Sequence, residues 1–235
     1  MQQPLIYISK HLFLGIILIT SALNAQSNDS IISKTDTITE VPKKPVRKGD
    51  FFVGVDVFTP ALSFFTDRKE FQVMAQYRIY NNWFGVVELG TGKNIYDENG
   101  WNNEVKGSFG KIGFNYFISM DKENDNNGFY AGFRVAYAKY KQTIGKYPIR
   151  DINSGQVVGY GSLPENNVDA YWVEGVIGAR LDLVKNLYID FSVHPAFYAG
   201  GKKDNGFDSK VIPGFGKHST SMNIPIFWGI TYKLF

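Results

Sequence analysis

From Ile224 to the terminal Phe235, large apolar residues occupy every second position: Ile224, Ile226, Trp228, Ile230, Tyr232 and Leu234 alternate with Pro225, Phe227, Gly229, Thr231 and Lys233. A period of two belongs to a β-strand, whose successive side chains point to opposite faces. The same alternation recurs upstream. It runs over Phe51–Phe58, Glu70–Tyr80, Trp83 to Thr91, Lys111–Ile118, Phe129–Tyr140, Tyr171–Leu183 and Leu187–His194, each bounded by turn-rich residues. With the last stretch this predicts about eight strands, an allowed number for a closed antiparallel barrel.

The connections alternate too. Asn81-Asn82 and Val184-Lys185-Asn186 read as tight turns and Ser119 to Asn127 as a moderate one, whereas the gaps after the first, third, fifth and seventh strands are longer. Short turns on one side and long loops on the other are the pattern of an up-and-down transmembrane barrel. The longest gap, about Lys141 to Asn167, is expected to hold a hairpin standing above the rest and to be a place for partner recognition.

Composition narrows the class further. Gly (24), Phe (19) and Tyr (14) suit close-packed strands and aromatic interfaces better than helices. A formal net charge of +3, with no basic stripe, is too balanced for a nucleic-acid binder. With no Cys, disulfides and thiolate metal sites are excluded.

The amino terminus reads as an export signal over residues 1–25: Lys10 and His11 precede the apolar run Leu12 to Leu23, and Ala25 is a small residue at the cleavage point. Residues 26–50 are polar, without a lasting period and interrupted by Pro42 and Pro45, and are expected to be a disordered periplasmic lead-in. The barrel is then residues 51–235.

Alternation alone does not say which face points out, because a soluble lipocalin-like barrel has the same period with its apolar side inside. The polar faces decide. They carry Gly, Ala, Gln and Tyr with a few charges, not the Lys/Glu-rich surface of a soluble protein, while Tyr77, Tyr80, Trp83, Tyr116, Phe129 and Tyr232 gather near strand ends as in a membrane-interface belt. The fold class expected is all-β, a single up-and-down transmembrane barrel with its apolar faces toward lipid. Asp56, Arg78, Glu88, Lys111, Arg134, Glu174, Arg180, Asp182, Asp190 and His194 then face the lumen. Eight strands leave room only for side chains, so these groups should form a polar network that plugs the interior. With the turn centred on Lys185, Arg180 falls opposite Asp190, close enough for an ion pair.

Trp228-Gly-Ile-Thr-Tyr-Lys-Leu-Phe235 resembles the carboxy-terminal insertion signal of outer-membrane barrels, with Trp228, Ile230, Tyr232, Leu234 and Phe235 as its apolar residues. Gly54-Val-Asp-Val57, Trp83-Phe-Gly-Val-Val-Glu-Leu-Gly90, Gly113-Phe-Asn-Tyr116, Phe129-Tyr-Ala-Gly-Phe-Arg134 and Tyr171-Trp-Val-Glu-Gly175 look like strand motifs of a small eight-stranded outer-membrane β-barrel family of unknown function from Gram-negative bacteria. The resemblance implies a cell outer-membrane location, outer-membrane lipid and the barrel assembly machinery as partners, and an extracellular or periplasmic protein as a further one. It supplies no catalytic residues and no cofactor.

Chemical motifs are weak. His194, Ser192 and Asp190 place a base, a hydroxyl and a carboxylate on one face, but residues two apart on a strand lie roughly 7 Å apart, too far for a direct relay. Asp121 to Gly128 has a calcium-loop composition, yet Asn126 stands at the Gly position and Gly132 at the bidentate Glu position, which leaves a solvated turn. Pro195 and Pro225 fall inside presumed strands and predict bulges or strand ends there. The expected function is non-enzymatic: a structural or surface-interaction barrel acting through its external loops. The alternatives are an accessory to envelope assembly or secretion that uses the amino-terminal segment, and a small lipid-modifying barrel enzyme.

Overall fold

The computed structural model describes residues 48–121, 124–204 and 206–235. The export signal and most of the lead-in therefore lie outside the described residues. Twelve strands and one short helix follow in the order β1 (Phe51–Asp56), α1 (Phe58–Leu62), β2 (Arg68–Tyr80), β3 (Trp83–Glu98), β4 (Trp101–Met120), β5 (Gly128–Arg150), β6 (Val157–Val184), β7 (Leu187–Val193), β8 (Ala196–Gly201), β9 (Val211–Ile212), β10 (Gly216–Lys217), β11 (Met222–Asn223) and β12 (Ile226–Lys233).

All pairings are antiparallel, and eight strands close on themselves. Neighbours from β1 to β7 pair in sequence order, β12 pairs with β7 on one side and with β1 on the other, and the hydrogen-bond ring has no open edge at that level. Burial follows parity around it. In β3, for example, Phe84, Val86, Glu88, Gly90, Gly92 and Asn94 are buried while Val87, Leu89 and Thr91 between them are exposed. The residues Trp228, Ile230, Tyr232, Leu234 and Phe235 are all on the exposed side.

The expected prolines act where the ladder breaks. β7 gives way to β8 at His194-Pro195 and β11 to β12 at Ile224-Pro225, so each outer pair is one strand interrupted by a residue with no N–H to donate. The two breaks sit side by side, His194 N–H donating to the Pro225 carbonyl at 2.9 Å and Gly175 N–H to that of Pro195 at 2.9 Å.

Strand lengths differ from the sequence expectation at one end only. β3 and β4 continue to a two-residue turn at Asn99 (φ 54°) and Gly100 (φ 79°), the left-handed geometry of a tight hairpin, where a long loop was expected. β5 and β6 likewise run on to Arg150 and Val157, so the expected hairpin between them is a continuation of the same two strands. Outward positions there are mixed, with lysines and other polar residues among Ile95, Ile149, Val158 and Tyr160, and the apolar alternation fades although the ladder persists. At the opposite end the turns at Asn81 and Asn186 are tight, as read.

Both ends of the interior are closed. At the short-turn end Phe52, Phe84, Phe117, Tyr130, Val176 and Tyr188 form a cluster of strand residues. At the other, a loop folds inward: Val211 to Gly216 are buried without interruption and pack on Phe109, Tyr140 and Trp172. Gly214, at φ 78°, turns the chain there, and a Cβ on it would stand 2.5 Å from the Phe109 ring. Nothing in the sequence reading anticipated this insertion.

Candidate functional site

Between the two closures the ring holds ionised side chains in a compact cell. Glu88 is opposite Lys111 in the β3–β4 register, and Arg134 is opposite Glu174 in the β5–β6 register, so like-numbered rungs already place opposite charges together. The chords across the ring complete the set. Lys111 Nζ lies 2.9 Å from Glu174 Oε1 and 3.8 Å from Glu88 Oε2, and Arg134 Nε lies 2.9 Å from Glu88 Oε1. Gln72 donates to Glu88, Trp172 Nε1 donates to Glu174 at 2.7 Å, and Arg134 also reaches the Phe114 carbonyl and Asn115 Oδ1.

These groups are buried to within a few per cent of fully. Two carboxylates and two cations balance, and each of their charged atoms has a hydrogen-bond or ion-pair partner, only the neighbouring Asn115 amide nitrogen lacking one; paired charge is the condition under which burial is tolerated. Removing one member leaves the others uncompensated and costs about 3–5 kcal/mol.

His194 adds chemistry that the sequence reading set aside. Its Nδ1 is 2.8 Å from Glu174 Oε2 and its Nε2 is 2.8 Å from Ser192 Oγ, so hydroxyl, imidazole and carboxylate form one hydrogen-bonded chain. The expected 7 Å separation was a backbone spacing. The long imidazole leans along the strand and closes the gap. The carboxylate of the chain is Glu174 from β6, not Asp190. Glu88, Glu174 and His194 also bring three ligand-type atoms within 4.8 Å of one another, but Lys111 places its ammonium between the two carboxylates, where a metal cation would have to displace it.

The remaining predicted residues divide between structural tasks. Arg180 and Asp190 are opposite each other and paired as read, at 2.9 Å through Nε and 2.8 Å through Nη2, and both are fully buried. Asp190 accepts a further bond from the Tyr130 hydroxyl, and the Arg180 guanidinium lies 4.5 Å from the Phe52 ring centre. Arg78 is held by Asp50 at 2.8 Å, and by Asp125 and Asn126 from the β4–β5 turn. That turn is thus folded in against the ring end, where a solvated loop was expected. Asp56 accepts from the Phe58 and Thr59 N–H groups and anchors α1. Asp182 is a correction: it lies on the predicted parity but past the end of the interior, exposed, accepting from Asn124.

Several members of the interior network were missed. Gln72, Gln76, Asn115, Tyr130 and Trp172 bond to the ions directly, and all lie on the polar parity of their strands, so the alternation that found Glu88 and Arg134 marks them equally.

The class these features define is an all-β antiparallel protein whose eight-strand ring encloses paired charges. The chain belongs to the family described as Domain of unknown function (DUF6048), whose model matches residues 6–234. No curated protein matches the chain.

Proposed function

We propose that the ring is a transmembrane β-barrel of a bacterial outer membrane, with a side-chain-filled lumen, and that its role is non-enzymatic: structural, or surface interaction through the long-loop end. One observation carries the reading. Leu89, Ile112, Val135, Ile177, Leu181 and Phe191 stand exposed on the outer wall while Glu88, Lys111, Arg134, Glu174, Arg180 and Asp190 are buried within it. Water as the outer solvent makes that arrangement unfavourable on both counts, and hydrocarbon makes it favourable on both. The polar lumen network and the exposed Trp228, Ile230, Tyr232, Leu234 and Phe235 are the parts this reading assigns to lumen filling and to engagement by the barrel assembly machinery. Fractionation tests it, together with electrophoresis before and after boiling. The protein is expected with the outer membrane, migrating as a compact species until heated. Recovery as a water-soluble monomer overturns it.

A lipid-modifying hydrolase is the second reading, favoured by the Ser192–His194–Glu174 chain. Against it, all three residues are buried and Glu174 is shared with Lys111. Covalent labelling of Ser192 by a fluorophosphonate, abolished in His194→Ala, supports this alternative; an unlabelled protein removes it.

A further inference from the structure

The outer wall carries a row of lysines in register. Lys69 is opposite Lys93, Lys93 opposite Lys106, and Lys106 opposite Lys141, so four neighbouring strands, β2 to β5, present an ammonium group at the same height. All four are exposed. At the usual strand spacing the row is about 14 Å long. Like charges directly opposite across a ladder destabilise it, and only part of this charge is answered: Lys93 meets Glu104 at 2.7 Å and Lys141 meets Glu165 at 2.6 Å, while Lys69 and Lys106 have no acid at ion-pair distance among the described residues.

The tiers next to the row give its chemistry. One step toward the short-turn end the register reads Phe71, Thr91, Ser108, Lys139, and the step after that Val73, Leu89, Gly110, Tyr137. Passing along the wall, side chains therefore change from mainly apolar, through hydroxyls, one aromatic ring and a further ammonium at Lys139, to the full row of ammonium groups. An anionic lipid presents a matching succession in the same order, with the opposite charge at its end: acyl chain, polar linkage, phosphate. The wall is also concave at this point. A groove of about 500 Å³ is framed by Pro60 of α1 and Ser63 just past it, with half-exposed Phe71 at the apolar side and Lys69, Lys93 and Lys106 at the other; Glu70, which also lines it, has its carboxylate paired with Arg68.

We infer that this groove is a binding site for the phosphomonoester of an anionic lipid in the surrounding leaflet. The acyl portion lies along Phe71 and the wall below it, and the phosphate takes the charge of Lys69, Lys93 and Lys106. The row is confined to β2–β5, since Asn167 of β6 stands opposite Lys141 and continues the tier without charge. The site is therefore one-sided and holds a particular lipid position against the barrel. This inference rests on the membrane reading of the ring.

The test uses the full chain folded into phosphatidylcholine vesicles, with spin-labelled lipids reporting their relative association at the protein wall. Phosphatidic acid should be preferred over phosphatidylcholine by roughly fivefold or more, given about 1 kcal/mol for each lysine near an anionic surface. Phosphatidylglycerol, a diester with one charge, should be retained less. The preference should vanish in K69Q/K93Q/K106Q and persist in K185Q/K202Q/K203Q, which loses the same charge elsewhere. Insertion without any preference, or equal loss in both triple variants, overturns the site. Inorganic phosphate abolishing the preference, where chloride at equal ionic strength does not, assigns the groove to a free anion and overturns the lipid. A chain that enters none of the vesicles defeats the membrane reading itself.

Discussion

The two ends of the interior are sealed to the same degree by different means. At the short-turn end the aromatic seal is made of strand residues placed by register, Phe52, Phe84, Phe117, Tyr130 and Tyr188, beside the Arg180 guanidinium, which lies 4.5 Å from Phe52 and 5.4 Å from Phe117 and is neutralised by Asp190; the β4–β5 turn only caps it at Arg78. At the long-loop end the seal is an inserted segment, Val211 to Gly216, whose Phe215 sits edge-on to Trp172 at 5.7 Å. The first seal cannot open unless the ring opens, because its parts are rungs of the ladder. The second is joined to the ring by side chains and by a few hydrogen bonds, among them Gly214 N–H to Glu70 Oε1 at 3.1 Å. Burial is equal, but cooperativity with the ring is not.

The sharpest way to break this comparison is at Asp190. Asp190→Leu leaves Arg180 buried without its counter-ion and is expected to cost about 3–5 kcal/mol and to lower the unfolding temperature of the whole ring. Asp190→Asn keeps a hydrogen-bond acceptor and should cost less. Thermal unfolding followed by electrophoretic mobility checks both, and equal losses would remove the ion pair from the account.

Phe215→Ala comes next, at about 3 kcal/mol for an emptied aromatic site. Its effect should be local: faster amide exchange over 209–217 with exchange at Phe84 and Phe117 unchanged. Uniform loss of protection would mean that both seals belong to one cooperative unit.

A smaller change is expected from Glu70→Gln. Glu70 Oε1 accepts from Gly214 and from Asn94 Nδ2, and Arg68 pairs with the same carboxylate. The amide retains one acceptor, so the loss should be about 1–2 kcal/mol and should appear as loosening of the inserted loop alone. Exchange at Gly214 reads it directly.

The smallest effect lies beyond either seal, at the tip of the β5–β6 hairpin. The backbone N–H and the hydroxyl of Ser154, with the N–H of Asn153, hold the Asp151 carboxyl below its ordinary value of 3.8. A lowered value in the folded tip means that the turn is fully supported above the ordinary carboxylate range and loses that support as pH falls through the lowered value. Amide shifts of Asn153 and Ser154 should titrate there without any response at Phe215 or Phe84. A coupled response would join the tip to the seal below it.

Legibility followed the same division. The Arg180–Asp190 pair could be read from the chain because a tight turn and a period of two fix which residues oppose each other. The prolines marked the strand breaks for the same local reason: the missing N–H is a property of the residue itself. The Asn99-Gly100 hairpin lies beyond the reach of apolar alternation, which breaks at Lys93 and Lys106, so only the turn dipeptide itself marks it. Backbone spacing sets Ser192 and His194 apart, but the reach of the imidazole brings them into contact, and reach is not legible in a period of two.

The amino-acid sequence alone determined the strands, their parity and which side chains share a face, since a two-residue period and the turn chemistry act between near neighbours. Tertiary structure alone decided that Lys111 meets Glu174, that Val211 to Gly216 fill the long-loop end, and that four lysines stand at one height. Those contacts depend on how far each strand is shifted against the next and on the closing of the ring. Both are set by the packing of all eight strands together, and no single segment carries them.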